Sequence, residues 1–170
     1  MENIKKLIRD IPDFPKPGII FKDITTVLKD GEAFSQVIDK MKDIVKNSGA
    51  TSIVAAESRG FIFGAPIAAI LKIPFIPVRK KGKLPAKTHC QSYSLEYGED
   101  TLCIHEDAIK KGDKVIIIDD LLATGGTAKA IETLVKDMGA DVVSHLFLIE
   151  LSFLNGRKLL DAEVKSLIIY

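Results

Sequence analysis

The sequence has few of the residues that would identify an unusual class of protein. It contains no tryptophan, two cysteines, three histidines and 6% aromatic residues in 170 positions. Cys90 and Cys103 are too few for a disulfide scaffold and lack metal-ligand spacing, so we expect reduced thiols in a reducing compartment. The histidines are likewise scattered without ligand spacing. His145 is expected to be a core residue whose hydrogen bonds are satisfied.

An excess of charge of one sign and long apolar runs are also missing. The formal net charge is +1, which gives no global field to attract nucleic acid or an anionic membrane. The longest apolar run, residues 61–71, is too short to span a bilayer, and the charged N-terminus has no signal-peptide core. We therefore expect a cytoplasmic protein that binds neither nucleic acid nor membrane. Its length fits a single domain.

The chain is organised around residues 115–127. Val115 to Ile118 is a β-branched run typical of a strand buried on both faces of a parallel sheet. Asp119 and Asp120 follow where such a strand is expected to surface, and small residues then lead into an amphipathic helix. That helix has Ala128, Ile131, Leu134, Val135 and Met138 on its apolar face, Lys129, Glu132 and Lys136 on the other, and Gly139 at its C-terminal cap.

A strand, a small-residue loop and a helix N-terminus in this order make an anion site. Free backbone N–H groups and the positive end of the helix dipole converge there, and glycines let a phosphate approach the main chain. The two carboxylates before the loop suit the hydroxyls of a ribose that carries the phosphate. The Walker and dinucleotide glycine patterns are both absent. We predict a sugar-phosphate site, with an ordinary turn and surface acids as the alternative.

Other strands and helices alternate along the chain. Three prolines between residues 12 and 17 predict an extended N-terminal segment, and Asp30-Gly31 opens a long helix. Further strands are predicted at 53–56, 75–78, 142–149 and 166–170, and an exposed antiparallel hairpin at 91–97 and 101–105. This pattern predicts an α/β domain over residues 1–170, with a parallel sheet flanked by helices. The N-terminal arm, about 1–30, forms a small hood, and about 80–106 forms a flexible β-hairpin flap.

Two of the predicted strands end in charged residues. Arg59 follows the 53–56 strand, and a cationic run at 79–83 follows the 75–78 strand. Open parallel sheets bind ligands outside the carboxyl ends of their strands, so Arg59 is expected at the same edge as the acid pair. The cationic run makes a polyphosphate ligand plausible. A solvated surface charge is the alternative for both.

Five segments, taken in order, resemble the adenine branch of the type I phosphoribosyltransferase family. They are residues 13–23, 57–61, 79–85, 93–98 and 119–127, and the likeness covers nearly the whole chain. It implies transfer of the phosphoribosyl group from 5-phosphoribosyl 1-pyrophosphate to adenine, giving AMP and pyrophosphate in purine salvage. It also implies a homodimer, and Mg²⁺ that arrives with the substrate rather than on protein ligands. The sequence departs from the family at residues 88–91, which leaves the rate of flap closure open.

The resemblance also assigns roles to individual residues. The 5′-phosphate would be cradled by Ala123, Thr124, Gly125, Gly126 and Thr127, and the ribose hydroxyls would be held by Asp119 and Asp120. Pyrophosphate would bind to Ser58, Arg59, Lys80 and Lys83. Adenine would be held by Ile20, Phe21, Lys22 and Leu121, with Phe21 stacked on the ring. Glu96 on the flap would be the catalytic carboxylate, assisted by Arg59.

One position in the phosphate loop argues for adenine in particular. By the resemblance, hypoxanthine–guanine relatives carry an aspartate there that serves the purine proton, whereas Ala123 has no titratable group. Glu96 fits the vacant role. A phosphoribosyltransferase for xanthine, hypoxanthine/guanine or orotate remains an alternative, as does a non-catalytic sensor of phosphoribosyl pyrophosphate. The sensor would normally need a nucleic-acid-binding module, for which neither length nor net charge leaves room.

Overall fold

The computed structural model describes residues 1–95 and 98–170, which form two compact units, Met1–Lys40 and Met41–Tyr170. The first unit contains α1 (Glu2–Leu7), the antiparallel pair β1 (Arg9–Pro12) and β2 (Ile20–Asp23), α2 (Thr25–Leu28) and the start of α3 (Gly31–Ser48). The second unit continues with β3 (Ser52–Ala56), α4 (Arg59–Leu71), β4 (Phe75–Lys80), β5 (Thr88–Leu95), β6 (Gly98–His105), β7 (Lys114–Leu122), α5 (Gly126–Asp137), β8 (Asp141–Glu150) and β9 (Glu163–Ile169). Two 3-10 turns, Ser152–Leu154 and Gly156–Leu159, precede β9.

The predicted α/β fold is confirmed by a seven-stranded sheet in the order β5-β6-β4-β3-β7-β8-β9. The five strands from β4 to β9 in this order are parallel, and β5 and β6 form the antiparallel edge. On one face Val54 and Ile117 pack with Ile131 of α5. On the other face Gly64 of α4 lies against Ala55. Helices therefore cover both faces, which explains the continuous apolar runs of β3 and β7.

Most of the parallel strands are longer than the sequence indicated, and β7 and β9 differ most. β7 continues through Asp119 and Asp120 to Leu122, because it stays paired with β8 as far as Glu150. The last strand begins at Glu163 rather than at 166. The acid pair thus lies inside the strand and not beyond its end. No helix within the described ranges is long and apolar enough to cross a membrane.

The solvent face predicted for α5 is wrong at Glu132, which is 0% exposed. The segment before β9 covers it, and the backbone N–H groups of Asp161 and Ala162 donate to its carboxylate at 3.2 and 3.0 Å.

His145 is buried as predicted, but neither ring nitrogen has a hydrogen-bond partner in the described part of the chain. Its Nε2 lies 3.7 Å from Glu132 Oε1. Burial lowers the pKa of His145, although the charge of Glu132 opposes that shift.

The prolines were predicted to keep the N-terminal segment extended, and this is wrong between Pro12 and Gly18. β1 ends at Pro12, the chain turns through residues 13–18, and only β2, from Ile20, is extended again as the partner of β1. The Phe14–Pro15 peptide is cis, and Phe14 meets Phe21 edge to face with ring centroids 5.2 Å apart. Arg9 donates to the carboxylate of Asp23, at the end of β2, and lowers the pKa of Asp23 to about 2. These contacts add to a small apolar core in the first unit that includes Ile4, Val27 and Val37.

The prediction of two reduced thiols is wrong in this structure, because Cys90 and Cys103 form a disulfide. They are directly opposite each other on β5 and β6, with Cα atoms 4.1 Å apart. The spacing in sequence did not reveal this pairing, because it depends on the register of the hairpin. The Cys90 side is exposed, whereas Cys103 is buried.

The disulfide gives a prediction about stability. Cross-linking a loop of about 14 residues should raise the free energy of unfolding by about 3 kcal/mol, because it restricts the unfolded chain. We expect no free thiol in the oxidised protein, two after reduction, and a lower unfolding midpoint in urea when reduced. A double variant, Cys90→Ala with Cys103→Ala, should show the same midpoint with and without reductant. Two titratable thiols in the unreduced native protein would contradict the assignment.

Candidate active site

The two motifs predicted to share an edge of the sheet do meet there. β3 and β7 are adjacent and parallel, so their carboxyl ends lie side by side. Arg59 begins α4 just after β3, and its Nε lies 2.9 Å from Asp120 Oδ2 on β7. The peptide between Glu57 and Ser58 is cis. The sequence prediction that Arg59 and the acid pair are neighbours is therefore confirmed.

The acid pair is a crowded site that favours protonation. Asp120 is 3% exposed, and its backbone N–H donates to Asp119 Oδ1 at 2.9 Å. Burial raises the pKa of both carboxyls, and the charge of Asp120 raises that of Asp119 further, while the Arg59 guanidinium opposes both shifts. Within the described residues, Asp120 Oδ2 accepts no hydrogen bond of good geometry. The pair can therefore accept hydrogen bonds from donors supplied by a ligand.

Gly60 holds the start of α4 against this acid pair. A Cβ atom at position 60 would lie 2.9 Å from the carbonyl oxygen of Ile118 and 3.0 Å from Asp119 Oδ1. Only glycine allows this approach. The sequence motif contained Gly60, but without the structure nothing indicated what it faced.

Glu57 links the two strand ends that carry the predicted pyrophosphate residues. Its Oε2 accepts a hydrogen bond from Arg79 Nε at 2.7 Å, and its Oε1 accepts one from the Lys80 N–H at 3.1 Å. Burial pushes the pKa of Glu57 up, but these hydrogen bonds outweigh it and leave the pKa lowered. Arg79 Nη1 also donates to the carbonyl of Lys83 at 3.1 Å. Sequence reasoning gave neither Glu57 nor Arg79 a role, since their partnership depends on strand order.

The predicted phosphate loop runs from the end of β7 into the first turn of α5. Gly125 is buried and has a positive φ of 89°, a conformation that favours glycine, and α5 begins at Gly126. Ala123 and Thr127 are partly buried, and Thr124 is exposed. Thr127 Oγ1 lies 3.3 Å from the hydroxyl of Tyr93 on β5, so the hairpin meets the loop. This arrangement has the geometry of an anion site at a helix N-terminus.

The predicted cations lie at the end of β4 and just after it. Lys80 Nζ lies 3.0 Å from Asp100 Oδ2 on β6, and this partner raises the pKa of Lys80. Lys83 is exposed. Lys80 must therefore exchange Asp100 for a ligand oxygen if it is to bind phosphate.

The structure describes the four predicted adenine-binding residues but not the predicted catalytic carboxylate. In the first unit Ile20 is 55% exposed, Phe21 contacts Phe14, and Lys22 Nζ lies 2.6 Å from Asp10 Oδ1. Leu121, in the second unit, is partly buried on β7. Glu96, the predicted catalytic carboxylate, lies outside the described residues. No group of three or more His, Cys, Asp or Glu residues within 1–95 and 98–170 is placed to hold a metal ion.

Comparison with known proteins shows the family of the chain. A family model described as phosphoribosyl transferase domain matches residues 23–166, a range that includes the acid pair and the phosphate loop. The chain therefore belongs to the phosphoribosyltransferase family. The adenine phosphoribosyltransferase of Kosmotoga olearia is 57% identical over 169 residues, covering 99% of both chains. Within the family, the chain belongs to the adenine phosphoribosyltransferases, which are transferase enzymes.

Solved structures support the same placement. The crystal structure of the adenine phosphoribosyltransferase from Thermoanaerobacter pseudethanolicus is 54% identical, with a TM-score of 0.96 and 99% of both chains covered. The Saccharomyces cerevisiae enzyme, complexed with an imino-altritol bisphosphate and adenine, is 38% identical, with a TM-score of 0.92. That match covers 98% of this chain and 97% of the yeast chain. The fold predicted from the five sequence segments is thus confirmed over nearly the whole length.

Proposed function

We propose that the chain transfers the phosphoribosyl group of 5-phosphoribosyl 1-pyrophosphate to adenine, giving AMP and pyrophosphate, through the residues described above. Adenine phosphoribosyl transfer in purine salvage is the activity of the group to which the chain belongs. The observation that carries the assignment of residues is the ion pair of Arg59 with Asp120, 2.9 Å apart beside the phosphate loop. This ion pair brings Arg59, assigned to the pyrophosphate leaving group, next to Asp120, assigned to the ribose hydroxyls.

The reaction makes one bond and breaks one bond at C1′ of the sugar. N9 of adenine bonds to C1′ as the bond from C1′ to the pyrophosphate oxygen breaks, and the imidazole proton of adenine passes to a base. Positive charge builds on the sugar and negative charge on the leaving group. Arg59, Lys80 and Lys83 supply positive charge for the departing pyrophosphate, with Ser58 as a hydroxyl partner.

The acid pair is assigned to the ribose hydroxyls. Each ribose hydroxyl donates a hydrogen bond to a carboxylate oxygen of the pair. One of these oxygens, Asp120 Oδ2, is buried and accepts no well-directed hydrogen bond from the described residues, so a ribose hydroxyl would supply its donor. The loop Ala123 to Thr127 holds the 5′-phosphate through its N–H groups. Sugar and phosphate are then fixed at two points, which orients C1′ for attack.

Mg²⁺ is proposed as a partner of the substrate. Protein sites for this ion usually supply one or two carboxylates and leave the remaining positions to substrate phosphates and water. Because the acid pair is assigned to the ribose hydroxyls, we propose that the ion binds phosphate oxygens of the substrate and water rather than side chains of this protein. When bound with phosphoribosyl pyrophosphate, the ion would neutralise charge on the pyrophosphate group.

Adenine recognition and proton transfer remain proposals drawn from the family resemblance. Ile20, Phe21, Lys22 and Leu121 are the proposed adenine contacts, and Phe21 offers an aromatic face for stacking. Glu96 is the proposed base for the imidazole proton. Ala123, which has no titratable group, leaves that task to another carboxylate.

The reaction is tested by pyrophosphate release with phosphoribosyl pyrophosphate and Mg²⁺, with five bases assayed in parallel. We expect turnover with adenine, and rates at least 100-fold lower with hypoxanthine, guanine, xanthine and orotate. Faster turnover with another base would keep the phosphate site but reject the proposed adenine contacts. Tight binding of phosphoribosyl pyrophosphate without turnover of any base would favour a sensor.

Arg59→Ala is predicted to raise KM for phosphoribosyl pyrophosphate by about 10- to 100-fold, because a hydrogen bond to a charged group contributes about 1.5–3 kcal/mol. KM for adenine should change less than twofold. Arg59→Lys, which keeps the charge but not the planar fork, should fall between. Lys114→Ala, at the opposite end of β7, is the matched control. If the KM is unchanged, Arg59 serves only as the ion-pair partner of Asp120.

We also propose a cytoplasmic homodimer. Exposed apolar side chains such as Phe153 and Leu159 are of the kind that subunit interfaces cover. Light scattering should give about twice the chain mass of 18.6 kDa.

The charged substrates do not cross bilayers unaided, which favours the compartment where they are made.

A further inference from the structure

The segment between β8 and β9 touches the phosphate loop, backbone against backbone, at Gly156. A Cβ atom at position 156 would overlap the carbonyl oxygen of Ala123, and it would lie 2.9 Å from both the carbonyl carbon of Thr124 and the nitrogen of Gly125. A Cβ atom at Gly125 would in turn lie 2.6 Å from the carbonyl oxygen of Gly156. Carbon and oxygen atoms do not pack this closely, so any side chain at 156 must displace one backbone or the other.

The Gly156 side of this contact is held firmly. Arg157 donates to both carboxylate oxygens of Glu150, at 2.9 and 2.7 Å, and to the carbonyl of Val164 at 3.0 Å. Glu150 is buried and also accepts the hydroxyl of Ser166 at 2.6 Å. A bidentate pair with a further hydrogen bond resists movement, because displacing it leaves a buried carboxylate without partners.

The same segment is tied to α5, the helix that begins at the phosphate loop. Glu132 of α5 is fully buried and accepts the N–H groups of Asp161 and Ala162. At the other end of the segment, the Leu151 N–H donates to the carbonyl of Leu122 at 2.9 Å, one residue before the loop. The segment therefore spans the loop from the last residue of β7 to the second turn of α5.

We propose that Gly156 is a positioning residue for the 5′-phosphate. Residues 155–157 form a rigid support that sets where the N–H groups of the loop point. The inference rests on the proposed function, since it requires that the loop bind phosphate. Gly156 itself touches no substrate. A side chain there shifts the loop, and shifts of about 1 Å in a binding site can cost about 100-fold in affinity or rate.

The experiment compares two ligands that differ only in the phosphate. Dissociation constants for AMP and adenosine are measured by calorimetry, and their ratio isolates the contribution of the 5′-phosphate. In the parent protein we expect AMP to bind at least 100-fold more tightly. In Gly156→Ala that ratio should fall at least tenfold while the affinity for adenosine stays within twofold. KM for phosphoribosyl pyrophosphate should rise by a similar factor, with kcat within about threefold, because uniform binding is lost.

Two further variants keep the test decisive. Gly31→Ala, at a helical position where a Cβ atom meets nothing within 4 Å, is the matched glycine control and should leave the ratio unchanged. If Gly156→Ala fails to fold, Arg157→Lys loosens the support without adding a side chain at 156 and should lower the ratio about three- to tenfold. A parental ratio in the folded Gly156→Ala, or in Arg157→Lys if it replaces that variant, overturns the inference. Equal affinity for AMP and adenosine in the parent protein would instead reject the phosphate site itself, and the inference with it.

Discussion

Asp119→Asn is expected to lower kcat/KM for phosphoribosyl pyrophosphate by about 100-fold and, at neutral pH, to raise the unfolding temperature of the ligand-free protein. The loss of activity follows from replacing a carboxylate that accepts ribose hydroxyls by a neutral amide, because a charge-assisted hydrogen bond contributes about 1.5–3 kcal/mol. The amide oxygen can still accept the Asp120 N–H, which lies 2.9 Å from Asp119 Oδ1. The local backbone should therefore keep its conformation.

The gain in stability follows from the electrostatics of the acid pair. Burial, followed by the charge of Asp120, raises the pKa of Asp119 well above its ordinary value of 3.8. Ionising both carboxyls in this place is unfavourable, so the native protein gives up stability to keep a site for the ribose. Asparagine removes one of the two charges. Activity and stability should then change in opposite directions, as is common for residues placed for function.

The dependence on pH gives this prediction a sign that can be checked. Because the folded-state pKa is raised, the folded protein holds a proton that the unfolded chain releases above about pH 3.8. The stabilisation from that proton is complete below this pH and is lost as the pH rises through the folded-state pKa. The advantage of Asp119→Asn should therefore be small at pH 3 and grow toward neutrality.

Thermal unfolding from pH 3 to 8 and steady-state kinetics at pH 7.5 test both halves of the prediction. Asp141→Asn, the same substitution at the opposite end of the sheet, is the control and should change neither quantity appreciably. A lower unfolding temperature at pH 7.5 would contradict the electrostatic account. An unchanged kcat/KM would remove Asp119 from ribose binding.

Glu96→Gln is expected to reduce kcat by about 10² to 10⁴, the usual contribution of a general acid or base. Glutamine keeps the size of the side chain but cannot take up the imidazole proton of adenine. Affinity for phosphoribosyl pyrophosphate should stay within about twofold, since the flap carboxylate is assigned to the base and not to the sugar phosphate.

The pH profile separates this role from a structural one. In the parent protein kcat/KM for adenine should fall at low pH as the carboxylate of Glu96 becomes protonated. This acidic limb of the pH profile should be lost in Glu96→Gln, because glutamine has no group to ionise. Glu106→Gln, an exposed glutamate just beyond the hairpin, should keep both the rate and the limb. A near-normal rate in Glu96→Gln would assign the proton to another group.

The parts of the site that sequence reasoning found are those encoded in contiguous stretches. The β-branched run before Asp119 predicts a buried strand, and the small residues to Thr127 predict an anion loop, because each depends only on neighbours along the chain. That Arg59 and the acid pair lie at the same edge of the sheet was also predictable, since the carboxyl ends of parallel strands share one edge. The length of β7 was not, because its last pairs with β8 are tertiary contacts.

Pairings between distant residues were missed for a common reason. Cys90 and Cys103 were expected to be free thiols, and Glu132 was expected at the surface. The first depends on hairpin register, and the second on a segment some 30 residues later that folds over α5 and donates two N–H groups. Glu57 with Arg79 belongs to the same group. A one-dimensional pattern carries little information about which strand ends become neighbours.

By itself the sequence determined the α/β class, the strand-to-helix stretch 115–127 with its acid pair and, through five motifs, membership of the phosphoribosyltransferase family. These features come from periodicity, residue size and charge within short windows. Only the tertiary structure decided that Asp120 is paired with Arg59, that Cys90 is bonded to Cys103, and that the backbone of Gly156 lies against residues 123–125. Such contacts depend on strand order and on close packing, and atoms brought within 3 Å by folding leave no local signature in the chain.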